Sequence, residues 1–352
     1  MNAPFALASV TVRLVDLAQP DEVARIEGFV GAAGGSVFHR PAWLLAVERG
    51  TGNRACGLAA ERGGEITGWL PLSEVHSPLF GRVLASSGFA VDGGVLASDA
   101  ACAIALCRAA EELALRRSCP TIEVRGGEVP ADWQSRTDSH SGFVQPLAAD
   151  DEAQLLAVPR KQRAEVRRGL GNGLDVRVGR DEADRAVHYA VYATSVRNLG
   201  TPVFPRALFD AVLDALDADI LTVSREGMPL ASVLSLYHDG AIMPYWGGGT
   251  VTARHWRAND VMYYALMNHA RERGCDRFDF GRSKTGSGAY HFKRNWGFAP
   301  EPLAYAAWHA PGAEPRDADP TSARHAARIA LWKRLPLRLA NRLGPLISRG
   351  LG

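Results

Sequence analysis

Apolar positions along this chain recur with two periods, near two over short runs and near four over longer ones, and the alternation marks an α/β protein. TVRLVDL predicts a first strand, and Asp21 to Gly31 a helix opened by Pro20 and Asp21. VFHRPAWLLAVERG reads as a loop entering a short helix that Gly50 ends. In ACGLAAERGGEITGWLPLSEV two apolar-rich runs flank Arg62-Gly63-Gly64, where glycines allow the positive φ of a tight turn, so the stretch predicts a hairpin. RVLASSGFAVDGG predicts another strand. Ser98 to Arg117 predicts a long helix, with Ile104, Leu106, Leu113 and Leu115 in an Ala-rich frame that breaks at Cys119-Pro120, and TIEVRGG a strand after it.

From Phe204 the same order returns. PVFPRALFDAVLDAL echoes SVFHRPAWLLAVERG, DILTVSREGMPLASVLSLYHDG echoes the first hairpin, AIMPYWGGGTV echoes RVLASSGFAVDGG, and NDVMYYALMNHARERGCDRFDFG echoes the long helix and its strand. This is a diverged tandem duplication. Each unit combines antiparallel pairing with a crossover helix, which gives a mixed sheet covered by helices and a right-handed crossover. The expected division is residues 1–149, 150–310 and a tail at 311–352.

At 352 residues the chain exceeds one compact core, and 47% hydrophobic with 22% charged content is that of a globular protein. A net charge of +2 does not mark the whole molecule as a nucleic-acid binder, so anion binding has to come from local clusters. One such cluster is Arg160, Lys161, Arg163, Arg167 and Arg168 around Glu165, on a helix ending at Gly171-Asn172-Gly173. It reads either as a solvated helix edge or as a seat for a phosphate-rich ligand.

Residues 321–352 contain no acid and carry Arg324, Arg328, Lys333, Arg334, Arg338, Arg342 and Arg349. Leu331, Leu335, Leu339 and Leu343 recur every four positions, with a kink expected at Pro336. Peripheral docking at the inner face of a membrane and packing back on the protein both fit. The five cysteines form no CxxC pair and nothing beside them has zinc-ligand spacing, which predicts buried thiols in a reducing compartment and no metal. Without a basic leader or a spanning apolar run, the expected location is the cytoplasm.

No GxxxxGK[ST] loop, helix-opening GxGxxG, GxSxG elbow or HExxH pair occurs. The chemistry-bearing stretch is Cys275 to Phe298, a strand CDRFDF, a bend with Gly281, Gly286 and Gly288, and a cationic-aromatic helix from Tyr290 to Trp296. Lys293 reads either as a mobile point charge for an anion or as a surface lysine beside a packed Phe, and spacing alone favours the second. Asp279 ends the strand, where ligand sites of open sheets lie, and reads as a proton acceptor for an attacking amine or as a turn carboxylate. Arg282 and Ser283 in the bend read as anion-orienting or solvated. Tyr245 and Trp246 end the strand before the long helix. Arg254 and Arg257 precede that helix's start at Asn259, a place suited to anions through free amides and the helix dipole.

YWGGGTVTARHWRANDVMYYALMNHARERGCDRFDFGRSKTGSGAYHFKRNWGF resembles the second half of the Fem family, and RKQRAEVRRGLGNGLDVRVG resembles the segment opening that family's second domain. The likeness covers roughly residues 30 to 308 and is weaker in the first copy. It implies two GNAT-fold acyltransferase domains in tandem with a basic helical tail, and N-acyl transfer to an amine of a cell-envelope glycan or peptide precursor. Phe292-Lys293 falls on the family's Phe-Lys pair, which implies that Lys293 meets the donor's phosphate or the charge building on the carbonyl oxygen. The expected substrate-binding residues are Phe292, Tyr290, Tyr245, Trp246, Arg254, Arg257, Asn259, Arg282, Ser283, Arg163 and Arg167. The long helical arm of Gram-positive Fem ligases is absent, so the pattern is closer to the FemAB-related proteins associated with exosortase/PEP-CTERM exopolysaccharide systems. Aminoacyl-tRNA, acyl-CoA and acyl-carrier protein all stand as donors, although RHWRAND is a poor copy of an R-x-x-G-x-G/A pyrophosphate loop. An acyl-CoA N-acetyltransferase and a non-catalytic glycan- or partner-binding scaffold are the competing readings.

Overall fold

The computed structural model describes residues 9–313 and 326–351, with side chains from 329 onward in the tail. Most of the expected linker, and Arg324 and the Arg328 side chain, therefore lie outside the described residues. The chain divides into two compact units, one of residues 9–137, 304–313 and 349–351, the other of 138–303 and 326–348.

In chain order the first unit has β1 (Thr11–Leu14), α1 (Pro20–Ala32), α2 (Pro41–Thr51), β2 (Arg54–Arg62), β3 (Glu65–Ser77), β4 (Gly81–Ser86), β5 (Leu96–Ala97), α3 (Ala100–Arg116), β6 (Thr121–Arg125) and β7 (Gln134–Arg136). The second begins with β8 (His140–Gly142), β9 (Val144–Pro146), α4 (Asp151–Ala157), α5 (Arg160–Leu170), β10 (Asp175–Gly179), α6 (Glu182–Leu199) and α7 (Arg206–Ala215). It continues through β11 (Ala218–Arg225), β12 (Met228–His238), β13 (Ala241–Gly249), α8 (Ala253–Trp256), α9 (Ala258–Glu272), β14 (Arg277–Asp279), β15 (Ser283–Lys284), α10 (Gly288–Asn295) and β16 (Glu301–Pro302). β17 (Tyr305–His309) returns to the first unit, and α11 (Ala326–Arg334) and α12 (Leu337–Ser348) close the chain.

The first sheet runs β1-β2-β3-β4-β6-β17-β7, with β5 on β3. Its hairpin turns at Gly63 and Gly64, both at positive φ as the sequence predicts. Along β2 and β3 alternate residues face opposite helices: Leu58, Ala60, Leu70 and Leu72 meet α3, whereas Ala59 and Trp69 meet Ile26 and Leu44 of α1 and α2. Helix α2 runs past the expected stop. Gly50 is buried inside it, and Gly52 at φ 77 is the left-handed cap that ends it.

The second sheet runs β10-β11-β12-β13-β14-β9, and a separate small sheet runs β15-β8-β16. Leu221, Val223, Ala231 and Val233 face α9, while Ser232 between them turns to His188 of α6. Helices thus cover both faces of the sheet. The tail breaks at Leu335-Pro336 into two helices, where the proline's missing amide forbids continuation.

Candidate acyl-transfer site

The site begins where two parallel strands part. β13 and β14 pair only through Ala241 with Arg277 and Ile242 with Phe278, and on its far side β14 takes β9. Past Ile242, no strand pairs that edge of β13 among the described residues. On the β12 side, Leu234 opposes Trp246 and Ser235 opposes Pro244, so Tyr245 is the extra residue of a β-bulge. A bulge sharpens local twist and re-aims side chains, which suits a wall that has to peel away. The divergence opens at the carboxyl ends of the strands, where open α/β sheets hold ligands.

The β14 wall is built on one lysine. Asp279 Oδ1 accepts the Gly281 amide at 2.7 Å, and Gly281 at φ 66 turns the chain. Lys293 of α10 then donates to Gly281 O at 3.1 Å and Arg282 O at 2.8 Å. Its ammonium lies 5.3 Å from the Phe143 ring centre and 5.8 Å from that of Phe280, and the residue is only 8% exposed. Burial pushes the ammonium down to about 8; Asp279 opposes that shift and Arg282 adds to it. The sequence allows a mobile point charge or a surface lysine, but the structure has a buried cation held by two carbonyls. An ammonium has three N–H groups, so among the described residues one is left for a ligand.

Ser283, two residues past Gly281, is buried and its Oγ has no hydrogen-bond partner among the described residues. A buried hydroxyl without a partner is a place for a ligand's polar atom or an ordered water. Tyr290 packs edge-on against Phe143 at 5.5 Å. Phe292 turns instead into a cluster with Tyr263, Phe280 and Trp296, which fixes α10 against α9 and the sheet. Phe143 carries no signal in the sequence, because only tertiary pairing brings it under Lys293, where its carbonyl also accepts from the Phe280 amide at 2.8 Å.

Trp246 is a core residue, 5% exposed, with its ring centre 4.6 Å from that of Phe209. Gly248 lies against Ser195 of α6, where a Cβ would come within 2.6 Å of the serine Cβ, and Gly249 lies against Asn259. At the start of α9, Arg257 takes a left-handed φ of 58 and its guanidinium pairs with Glu165 of α5. Gln162 donates to Asp260 Oδ1 at 2.6 Å, and burial pushes that carboxyl up. The Asp260 and Val261 amides both donate to Arg257 O at 3.1 Å. Arg254 stays exposed beside them. The charge of Arg257 is thus engaged within the fold, because α5 crosses the first turn of α9.

On α5 itself, Arg163 donates to Leu156 O at 3.1 Å near the end of α4, and Arg168 pairs with Glu165 at 3.0 Å. Arg160, Lys161 and Arg167 remain exposed. In the first unit, Glu74, His76 and Cys119 lie with ligand atoms within 4.8 Å of one another, a grouping hidden in the sequence by its separation. His76 Nε2 lies 2.9 Å from Glu74 and Nδ1 lies 3.4 Å from Arg82, so both ring nitrogens are engaged.

Residues 159–294 match the Acetyltransferase (GNAT) domain model. No curated protein matches the chain's sequence. Among solved structures, FemX superposes with a TM-score of 0.63 at 17% identity, over 81% of this chain and 95% of that one. A tandem GNAT protein from the clavulanic acid biosynthesis pathway gives 0.57 at 12%, over 88% and 100%. L-PGS from Bacillus licheniformis gives 0.54 at 13%, over 96% and 99%. At these identities the likeness is one of fold. The chain is an α/β protein of two tandem GNAT-fold units, and the second carries the domain of an acyl-transferring enzyme.

Proposed function

We propose that this protein is a Fem-like N-acyltransferase that moves an aminoacyl or acyl group onto an amine of a cell-envelope glycan or peptide precursor. The chemistry belongs to the second domain. Lys293 carries the reading, a cation buried beside the diverging strands with one N–H to spare among the described residues. In this scheme the donor carbonyl lies between the Tyr245 wall and the Gly281-Arg282 turn. Lys293 and the Ser283 hydroxyl stabilise the oxygen as charge builds on it, and Asp279 takes the proton of the attacking amine. The amine nitrogen bonds to the carbonyl carbon, the ester or thioester bond breaks, and the leaving group departs with the proton.

A preorganised cation at a developing oxyanion acts mainly on the transition state, and removing one such donor costs roughly 100- to 1000-fold in kcat. Lys293→Met should show a loss of that order, with little change in KM. The donor is tested by offering aminoacyl-tRNA, acyl-CoA and acyl-carrier protein to the purified chain. Three exposed cations on α5, Arg160, Lys161 and Arg167, favour the polyanionic tRNA. Turnover with acyl-CoA alone overturns that preference, and no turnover with any of the three overturns the enzyme reading.

A further inference from the structure

The tail helices use one face to hold the second unit and leave another bare. Ala340, Gly344 and Ser348, four residues apart, are the buried positions of α12. Gly344 lies against Val203, where a Cβ would come within 2.9 Å of Val203 Cγ1, and Ser348 Oγ donates to Val203 O at 2.9 Å. α11 runs beside α6, with Arg197 donating to Lys333 O at 3.2 Å. The contact face of α12 is made of small residues and consumes none of its exposed leucines.

Those leucines stay in the open. Leu331 is 66% exposed, Leu339 42%, Leu343 37% and Leu346 60%. On α12 the last three sit at i, i+4 and i+7, one continuous ridge. Arg338 and Arg342 are exposed on the flank of that ridge away from the buried face, and Lys333 and Arg334 are exposed on α11. Residues 321–352 hold no acid to offset them. An apolar ridge bordered by cations is the pattern of a helix lying in the headgroup layer, leucines toward the acyl chains and arginines on lipid phosphates. No described helix is long and apolar enough to cross a membrane.

We propose that α11 and α12 dock this protein on an anionic bilayer through Leu331, Leu339, Leu343 and Leu346. Docking also aims the site. Val203 lies in the loop between α6 and α7, and the next residue, Phe204, packs edge-on against Trp246 of β13, with ring centres 6.3 Å apart. The helix on the lipid surface is therefore seated on the loop that buttresses the Tyr245 wall.

The test is flotation of the full chain with vesicles of phosphatidylcholine alone or doped with phosphatidylglycerol. The wild-type protein should float with the doped vesicles only, and less as salt is raised. Leu339→Asp with Leu343→Asp should weaken flotation by about tenfold or more, since two exposed leucines of the docking ridge are replaced by charge. Arg338→Glu with Arg342→Glu should remove the preference for phosphatidylglycerol. Circular dichroism checks that each variant keeps its fold. Flotation of the leucine variant equal to wild type, or no wild-type flotation with doped vesicles, overturns docking. Transfer to a water-soluble amine is measured in parallel: it should survive in both variants, so loss of docking and loss of the acyl-transfer reading are told apart.

Discussion

Lys293 is a charge kept where charge is penalised. The ammonium titrates near 8, against about 10.4 for a free lysine. The folded chain therefore gives up this proton more readily than the unfolded chain. The buried charge lowers stability below about pH 8, and that cost fades as pH climbs from there toward the unfolded value. If the ammonium stabilises the reacting oxygen, kcat/KM should fall as pH rises through about 8. Because the acceptor amine gains reactivity over the same range, the decisive comparison is with Lys293→Arg, whose guanidinium stays charged and should flatten the fall. A wild-type profile that rises through pH 8 and parallels the arginine variant would remove the charged lysine from the mechanism.

Among the elements, β13 carries the clearest constraint. Its glycines are there for close approach, and Gly248 admits the Ser195 side chain of α6. Gly248→Val should push α6 off the strand and lower stability by about 1–3 kcal/mol, the usual cost of overpacking, read from the shift of a urea midpoint. An unchanged midpoint would mean that α6 yields without loss. Such packing was not legible in the sequence, though much of the secondary structure was. Gly63-Gly64 turns the first hairpin, the helix expected over Ser98 to Arg117 is α3, and Pro336 divides the tail. What local pattern could not reveal is long-range pairing. β9 closes the second sheet by binding β14, β8 binds β15 and β16, and β17 binds β6. These strands are two to five residues long, and their partners lie outside any window of periodicity. The burial of Lys293 follows from such pairing, since Phe143 between β8 and β9 forms part of its cradle.

For the molecule as a whole, a net charge of +2 hides local asymmetry. Glu165 pairs with Arg168 and Arg257, and Arg163 donates to Leu156 O, so Arg160, Lys161 and Arg167 are the exposed cations of α5 best placed to meet an outside anion. If aminoacyl-tRNA is the donor, these three meet its phosphates, and each contact contributes roughly 0.7–0.9 to the slope of log affinity against log salt. Reversing all three to Glu should lower that slope by about 2 and raise KM for the tRNA steeply at low salt. Acyl-CoA, with far fewer phosphates, would lose much less. A triple variant with an unchanged tRNA slope would take α5 out of donor recognition and leave its cations as a solvated helix edge.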